Sequence, residues 1–286
     1  MTETDNTSPL RYPGGKTRAC KKLDEIINKY FDIKSFKMVV SPFFGGGSFE
    51  FYLQNKYNLD IICNDKFKPL YNFWNICKNN LKKEELCKLL YQVNMVENEN
   101  AITKEKFIQY RNDIMKEKDE LKQAFYYFII NRCSFSGATL SGGFSLEASK
   151  KRFTKSSIDR VKSLDLDKMK IYNKDCGEFI LDTIGILDTI SNDSTLLFLD
   201  PPYYLEKGSK LYGKDGDMHE DFDHKKLFNI LSNGSNDNIK NIKWLMTYNN
   251  CDYIKDLYKD YIILDIDWTY GMNKTKKSSE IVIIKI

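Results

Sequence analysis

The sequence predicts an α/β fold: a seven-stranded sheet with a C-terminal antiparallel hairpin and a helical insertion. Short apolar segments recur along the 286-residue chain, and most alternate with helical patterns, which is typical of a parallel sheet covered by helices. The last two apolar segments, 261–268 and 279–286, are separated by ten residues that contain Gly271, which predicts a hairpin. Between residues 81 and 165 charged helical segments replace the strand pattern, so we place an insertion there.

The first strand and the helix after it are joined by a glycine-rich turn. Apolar residues at helical spacing between 23 and 30 predict a helix, and the strand at 36–40 then runs into PFFGGG at 42–47. A second helix is predicted over 48–57. Glycine lets a ligand approach the backbone closely, and a helix N-terminus favours polar or anionic groups, so the turn indicates a nucleotide-type ligand. Its spacing is not the dinucleotide fingerprint GxGxxG, which argues against a nicotinamide dehydrogenase.

Two further strands end at acidic residues. The apolar segment 60–64 ends at Asp65, and the segment 170–173 ends at Asp175. An acid at the tip of the strand after the glycine turn is placed to accept hydrogen bonds from ribose hydroxyls. An Asp65 that caps the helix predicted at 67–80 is the alternative interpretation.

The strand at 196–199 ends most abruptly, in Asp200-Pro201-Pro202-Tyr203. Because two prolines cannot donate hydrogen bonds to a ladder, the strand stops there and its exit is rigid. Ligands of open α/β sheets bind at the carboxyl ends of the strands, so an acid and an aromatic ring are presented where chemistry is expected. A capped strand end followed by a turn is the alternative. A helix over 177–190 precedes this strand, and a strand at 244–248 and a helix at 251–258 follow it.

The insertion begins with three predicted helices, over 82–94, 103–116 and 119–131, and continues as a polar loop over 132–153. A basic run ends the insertion, and Asp159 is the single acid within it. The run contains Lys150, Lys151, Arg152, Lys155, Arg160 and Lys162, and a second basic cluster contains Lys274, Lys276 and Lys277. The net charge of +4 permits nucleic-acid binding, and a plain solvated surface explains the basic runs equally well.

Composition argues against several classes of protein. The seven cysteines are odd in number and never two or three residues apart, which fits neither a disulfide framework nor a zinc site. His219 and His224 are the two histidines, which argues against a histidine-based metal or nucleophile mechanism. No apolar run approaches the roughly 18 residues of a membrane span, and the N-terminal segment has no apolar core. We therefore expect an intracellular, cytoplasmic protein of a bacterial, phage or viral-factory setting, without a metal.

Eight motifs follow one another along nearly the whole chain. They are RYPGGK at 11–16, PFFGGGSFEF at 42–51, ND at 64–65, NRCSFSGATLSGGFS at 131–145, LDPPYY at 199–204, LYGKDGDMHEDFDH at 211–224, WLMTYNN at 244–250 and DWTYGMN at 267–273. This ordered set resembles the Dam-like family of DNA adenine-N6 methyltransferases. The resemblance implies a seven-stranded Rossmann-like AdoMet-dependent methyltransferase sheet, with S-adenosyl-L-methionine (AdoMet) as cofactor and double-stranded DNA as partner.

The resemblance also implies roles for individual residues. The residues implied to bind the cofactor are Tyr12, Lys16, Phe43, Phe44, Gly45, Gly47, Asp65, Asp175, Cys176 and Asp200. Within this set the phenylalanines and glycines would wrap the methionine, Asp65 would hold the ribose hydroxyls, and Asp175 with Cys176 would meet the adenine of the cofactor. Tyr12 and Lys16 would also border the target-base pocket. The residues implied to be catalytic are Asp200, Pro201, Pro202 and Tyr203.

The resemblance divides the chain into two parts. Residues 1–80 and 166–286 would form the AdoMet-binding catalytic domain, and residues 81–165 would form an inserted target-recognition subdomain that binds DNA. The candidates for DNA contact in this insertion are Arg132, Lys150, Lys151, Arg152 and Lys155.

The chemistry of adenine methylation suits the DPPY tetrapeptide. The exocyclic amine is a poor nucleophile, because its lone pair is delocalised into the ring. The Asp200 carboxylate and the Pro201 carbonyl offer one acceptor for each amine hydrogen and would stabilise positive charge that develops on the nitrogen. Adenine inside a duplex cannot reach the cofactor, so the base must flip out, and Tyr203 would stack on it. Since positioning two reactants contributes on the order of 7–11 kcal/mol, no strong base is required.

Two residues depart from the pattern of the family. Ser41 stands where the family commonly has an acid before the proline of the glycine motif, and Cys176 stands where an aromatic residue usually follows Asp175. These departures motivate one alternative, a catalytically weak or silent DNA-binding homologue. An RNA adenine methyltransferase is the second alternative, because tetrapeptides related to DPPY occur in methyltransferases that act on RNA and on protein amides.

Overall fold

A computed structural model describes residues 5–12, 14–96, 102–187, 194–204, 222–233, 242–269 and 277–286 of the chain. Seven strands lie within these ranges. They are β1 (Met38–Ser41), β2 (Asp60–Asn64), β3 (Met169–Tyr172), β4 (Thr195–Leu199), β5 (Lys243–Asn249), β6 (Ile262–Thr269) and β7 (Lys277–Lys285). They form one sheet in the order β3-β2-β1-β4-β5-β7-β6, so the predicted seven-stranded Rossmann-like sheet is confirmed.

The strand order reverses between β1 and β4. The first five strands pair in parallel, and β7 runs antiparallel to both β5 and β6, as the predicted hairpin requires. Val40 of β1 lies opposite Leu197 of β4, so the two strands end at the same edge of the sheet. The glycine turn that follows β1 and the DPPY segment that follows β4 therefore lie side by side, at the topological switch point where open α/β sheets bind ligands.

Eleven α-helices lie within the described residues. They are α1 (Cys20–Tyr30), α2 (Ser48–Tyr57), α3 (Lys68–Lys78), α4 (Asn80–Val96), α5 (Lys104–Asp113), α6 (Glu120–Cys133), α7 (Leu146–Arg152), α8 (Lys155–Lys162), α9 (Cys176–Leu187), α10 (His224–Asn233) and α11 (Asp252–Leu257). The helices predicted before and after the glycine turn, in the first part of the insertion and around β4 and β5 are confirmed. Helix α10, which lies between β4 and β5, was not predicted.

The basic end of the insertion is helical, which corrects the expectation of a polar loop up to residue 153. Helix α7 begins where the Ser145 side chain accepts a hydrogen bond from the Ala148 N–H, and α8 begins with a capping box between Thr154 and Ser157. Such caps satisfy N–H groups that the first turn of a helix leaves unpaired. These capping hydrogen bonds stabilise two short helices in a segment whose serine content otherwise indicates a loop.

The insertion shares its core with the rest of the chain. The rings of Phe73 on α3 and Phe128 on α6 stack with their centroids 5.7 Å apart, and Phe128 also meets Phe153 after α7. These residues belong to the same buried cluster as Phe198 of β4. All five residues of β4 are buried, as a strand covered by helices on both faces requires. The helical insertion thus packs against the sheet through one shared core.

The seven cysteines form no disulfide bond with one another, and five of them are buried. Within the described ranges, no helix combines the length and the apolar character needed to cross a bilayer. No cluster of three or more His, Cys, Asp or Glu side chains is arranged to hold a metal ion in the same part of the chain.

Candidate active site

A cleft of about 730 Å³ opens at the switch point of the sheet. Its lining includes every residue for which a cofactor-binding or catalytic role was predicted, namely Tyr12, Lys16, Phe43, Phe44, Gly45, Gly47, Asp65, Asp175, Cys176, Asp200, Pro201, Pro202 and Tyr203. Met115 and Leu140 of the insertion also line it. Residues that are far apart in the sequence are brought together because the strands that carry them end at one edge.

The glycine turn is shaped by two residues in the left-handed region. Gly45 has φ +51° and Gly47 has φ +65°, which only glycine adopts without strain. A Cβ at Gly47 would lie 2.4 Å from the Phe44 ring, and one at Gly45 would lie 2.9 Å from the Tyr12 ring. Tyr12 therefore packs directly on the turn, and Phe44 lies mostly in the core beside Trp74, at a centroid distance of 5.3 Å.

Asp65 joins the end of β2 to the glycine turn. Its Oδ2 accepts a hydrogen bond from the Gly45 N–H at 2.9 Å, and its Oδ1 accepts one from the Phe67 N–H at 2.9 Å. Burial raises the pKa of Asp65 to about 6, although both hydrogen bonds act in the opposite direction. Each carboxylate oxygen has a second lone pair, so the group can still accept hydrogen bonds from a ligand in the cleft.

Asp175 lies at the end of β3 with about two fifths of its side chain exposed. It accepts a hydrogen bond from the Gly177 N–H at 3.1 Å, and Lys66 and Lys226 lie 3.6 Å and 3.5 Å from its two oxygens. Burial raises its pKa, but the hydrogen bond and the two lysines outweigh burial and lower the pKa overall. The neighbouring Cys176 is half-buried, and burial raises the pKa of its thiol to about 11.

Asp200 is the centre of a buried hydrogen-bond network. Its Oδ1 lies 2.8 Å from Lys16 Nζ and accepts a hydrogen bond from the Thr247 hydroxyl at 2.6 Å. Lys16 Nζ also donates to the Tyr203 hydroxyl at 2.9 Å and to the Gly14 carbonyl at 3.0 Å, and it lies 3.9 Å from Glu280 Oε2. Only 3% of the Lys16 side chain is exposed, against 24% of Asp200, so the acid faces the cleft and the lysine lies behind it.

The chain after the tetrapeptide is held by contacts to β5 and α11. Asn249 donates a hydrogen bond to the Tyr204 carbonyl at 2.7 Å, and the Tyr204 ring stacks on Tyr253 with centroids 4.5 Å apart. His224 Nδ1 and the Tyr248 hydroxyl are hydrogen-bonded partners beside this stack, 2.5 Å apart. These contacts hold Tyr204 against β5 and α11.

Three polar residues at the site were not predicted: Thr247, Glu280 and Glu50. Thr247 and Glu280 are buried on β5 and β7, and Glu50 is buried in the first turn of α2, where it accepts a hydrogen bond from Ser41 at 2.6 Å. Each is a polar side chain that directly adjoins apolar residues in the sequence: Thr247 lies between Met246 and Tyr248, Glu50 between Phe49 and Phe51, and Glu280 before Ile281. That is the one signal in the sequence that could have identified them.

The predicted DNA-contacting residues lie outside the cleft, and one of them does not fit its expected role. Lys150, Lys151, Arg152 and Lys155 are exposed on α7 and α8. Arg132 is 6% exposed, and its guanidinium donates hydrogen bonds to the carbonyls of Arg152 and Pro9. Because these bonds direct the group into the protein, Arg132 holds the insertion together and is not placed to reach base edges.

Some predicted features lie outside the described residues. They include Pro13 of RYPGGK, residues 211–221 of the motif at 211–224 with His219, and residues 270–273 of the motif at 267–273 with Gly271. Lys274 and Lys276 of the second basic cluster also lie outside them.

The sequence model of the D12 class N6 adenine-specific DNA methyltransferases matches residues 12–272. The chain belongs to this family. Type II methyltransferase M.MjaIII of Methanocaldococcus jannaschii is 28% identical over 207 residues, which cover 68% of each chain. Type II methyltransferase M.CviBI of Paramecium bursaria Chlorella virus NC1A is 23% identical over 288 residues, which cover 91% of this chain and 90% of the viral protein. As a D12 class methyltransferase the enzyme methylates adenine in DNA, so the predicted family and reaction are confirmed.

Proposed function

We propose that this D12 class methyltransferase binds AdoMet along the glycine turn and methylates a flipped-out adenine that is held at Asp200. The observation that supports the proposal best is the meeting of two features in one cleft. The glycine turn after β1 and the acid after β4 lie at the same edge of the sheet, with the ends of β2 and β3 beside them. A cofactor and a target base can therefore lie next to each other.

The residues of the cleft suit AdoMet. The left-handed Gly45 and Gly47 leave bare backbone at the N-terminus of α2, which favours a carboxylate such as that of the methionine moiety. Asp65 and Asp175, at the ends of β2 and β3, offer acceptors for the ribose hydroxyls and the adenine of the cofactor. Bound AdoMet supplies a methyl group that its sulfonium activates. A volume of about 730 Å³ accommodates a nucleoside cofactor together with an extruded base.

Asp200 and Pro201 would hold the amino group of adenine. Lys16 and Thr247 both contact Oδ1 of Asp200, so we assign Oδ2 as the acceptor for one amine hydrogen. The Pro201 carbonyl accepts the other hydrogen. Two fixed acceptors stabilise positive charge that develops on N6 and cost no reorganisation when it appears. No strong base is required for this chemistry.

Tyr203 would stack on the flipped adenine. Its ring lines the cleft, and its hydroxyl is held by Lys16 at 2.9 Å. Extruding a base costs a few kcal/mol of unstacking, and stacking on an aromatic side chain offsets part of that cost. The anchored hydroxyl keeps the ring in place before the base arrives.

We further propose that residues 81–165 recognise double-stranded DNA and that residues 1–80 and 166–286 form the catalytic domain. Met115 and Leu140 of the insertion line the cleft in which we place the base. The exposed basic residues of α7 and α8 suit phosphate contacts, which position a protein on DNA. They are Lys150, Lys151, Arg152 and Lys155. A DNA substrate also supports the expected intracellular location.

The proposal is tested by measuring methyl transfer from labelled AdoMet to matched DNA and RNA duplexes. We expect N6-methyladenine in double-stranded DNA, none in RNA, and a fluorescence increase when 2-aminopurine replaces the target adenine, because extrusion relieves its stacking. Transfer to RNA alone would favour the RNA methyltransferase. Calorimetry that detects no AdoMet binding would favour the silent DNA-binding homologue.

A further inference from the structure

Glu50 is a buried carboxylate at the cleft that has no role in the proposed binding and transfer of the methyl group. It lies in the first turn of α2, is 2% exposed and lines the cleft beside the glycine turn. Its Oε1 accepts a hydrogen bond from the Ser41 hydroxyl at 2.6 Å, and Ser41 is itself fully buried at the end of β1. An ionised carboxylate is costly to bury unless a cation or donors satisfy it.

In the protein without cofactor, the groups around Glu50 do not balance the negative charge of its carboxylate. The pKa of Glu50 is raised to about 7, chiefly by burial and also by the Asp200 charge, while Ser41, the Glu50 N–H and Lys16 act in the opposite direction. The buried thiols of Cys20 and Cys63 also lie within its electrostatic reach. Lys16 is committed to Asp200 at 2.8 Å. An additional positive charge close to Glu50 would therefore stabilise its ionised carboxylate.

We propose that the Glu50 carboxylate binds the α-ammonium group of the methionine moiety of the cofactor. This assignment rests on the proposed binding of AdoMet along the glycine turn. The turn and the N-terminus of α2 favour the carboxylate of an amino acid, so the ammonium on the same carbon needs an acceptor close by. Glu50 lies in that same first turn.

The other acids that line the described cleft are committed elsewhere. Asp65 accepts two backbone N–H groups at the end of β2, and Asp175 is paired with Lys66 and Lys226. Asp200 is held by Lys16 and Thr247, and the exposed Asp223 caps α10 through the Lys226 N–H at 2.8 Å. Glu50 is the remaining carboxylate, and it lies nearest in sequence to the glycine turn.

Ser41 acts as the positioning residue for Glu50. Its hydroxyl donates the 2.6 Å hydrogen bond that holds the carboxylate at the end of β1. Ser41 thus replaces the acid that the family commonly has at the end of β1, and the Glu50 carboxylate of α2 lies beside it. A carboxylate is therefore still present at the end of β1, although it belongs to a different element.

The test is calorimetry of the full-length chain with two ligands that differ in the amino-acid moiety. S-adenosylhomocysteine carries the α-ammonium group and no sulfonium, and 5′-methylthioadenosine carries neither. We expect Glu50→Gln, which keeps the size of the side chain, to weaken S-adenosylhomocysteine about 10- to 100-fold, the usual effect of losing a charge-assisted hydrogen bond. The affinity for 5′-methylthioadenosine should be unchanged, which also shows that the variant is folded.

A second variant and a pH series complete the test. Ser41→Ala should weaken the binding of S-adenosylhomocysteine about 5-fold and leave the binding of 5′-methylthioadenosine unchanged. The variant loses the hydrogen bond that orients the Glu50 carboxylate, but the carboxylate keeps its charge. The wild-type affinity for S-adenosylhomocysteine should fall below about pH 7 more steeply than that of Glu50→Gln, because protonated Glu50 cannot pair with an ammonium.

Three results would overturn the assignment of Glu50. They are equal loss of both ligands in Glu50→Gln, no loss of either ligand, and identical pH profiles for the variant and the wild type. If the wild-type chain bound neither ligand, the proposed cofactor site itself would be refuted together with this role for Glu50.

Discussion

The ammonium group of Lys16 lies 2.8 Å from Oδ1 of Asp200. The same nitrogen donates to the Tyr203 hydroxyl, so one buried lysine fixes both the acid and the ring of the tetrapeptide. Such an ion pair adds little to the free energy of unfolding, because removing two charges from water costs about as much as their attraction returns. It is good support for orientation, since rotation of either side chain would break the 2.8 Å contact.

Replacing Lys16 with methionine should impair both catalysis and stability. Asp200 and Glu280 would lose their cation, and breaking a buried pair costs about 3–5 kcal/mol of unfolding free energy. We expect single-turnover methylation to slow at least about 100-fold, because misplaced groups at a reacting centre cost on that order. The exposed Lys21→Met on α1 is the control. Urea unfolding and rates that match the wild type in Lys16→Met would contradict the role of Lys16.

Thr247 should matter through its hydroxyl alone. Thr247→Val keeps the shape of the side chain and removes the 2.6 Å hydrogen bond to Asp200, so kcat should fall about 10-fold with KM for DNA unchanged. Thr247→Ser retains the hydroxyl and should stay close to wild type. Steady-state kinetics of the two variants decide the point, and equal activities would show that the bond does not orient Asp200.

Gly47 should tolerate no side chain. In Gly47→Ala the new Cβ would lie 2.4 Å from Phe44 in a backbone that has φ +65°. The variant should lose about 1–3 kcal/mol of unfolding free energy and most of its affinity for S-adenosylhomocysteine. Gly143→Ala is the matched control, because no atom of the described residues, apart from the glycine itself and its two chain neighbours, lies within 4 Å of the added carbon. A Gly47→Ala variant as stable as Gly143→Ala would refute the packing of the turn.

The buried carboxyl group of Glu50 should make the protein without cofactor less stable as pH rises. Burial raises its pKa from 4.5 to about 7, so the folded chain keeps a proton that the unfolded chain has released. The stability that this proton contributes is present below pH 4.5 and is lost as pH rises towards 7. Between pH 5 and pH 8 the wild type should lose about 2–3 kcal/mol relative to Glu50→Gln, with a slope that approaches about 1.4 kcal/mol per pH unit between the two pKa values. Parallel unfolding curves for the two proteins would contradict the raised pKa.

The sequence was most informative where a local pattern determines local structure. The apolar segment before Asp200 and the two prolines after it identify a buried strand and its end, and the three glycines identify a turn. Their meeting in one cleft follows because parallel strands in this fold class end at one edge. Every residue with a predicted cofactor-binding or catalytic role therefore lines the cleft, while the roles themselves remain predictions.

The residues that sequence reasoning missed depend on contacts between distant elements. Thr247 reaches Asp200 because β5 lies next to β4, and Glu280 approaches Lys16 because β7 is inserted between β5 and β6. The buried state of Arg132 depends in the same way on two carbonyls from other segments. Composition cannot distinguish an arginine that holds a fold together from one that contacts DNA.

Mapping N6-methyladenine in genomic DNA tests the central claim most directly. The chain and its Asp200→Ala variant would be expressed in a bacterium that lacks DNA methylation, and the methylated adenines would be located by sequencing. We predict methylation at adenines within one recurring short sequence for the wild type and none for Asp200→Ala, at equal levels of folded protein. Unmethylated DNA from the wild type, or methylation that persists in Asp200→Ala, would contradict an adenine methyltransferase that acts through Asp200.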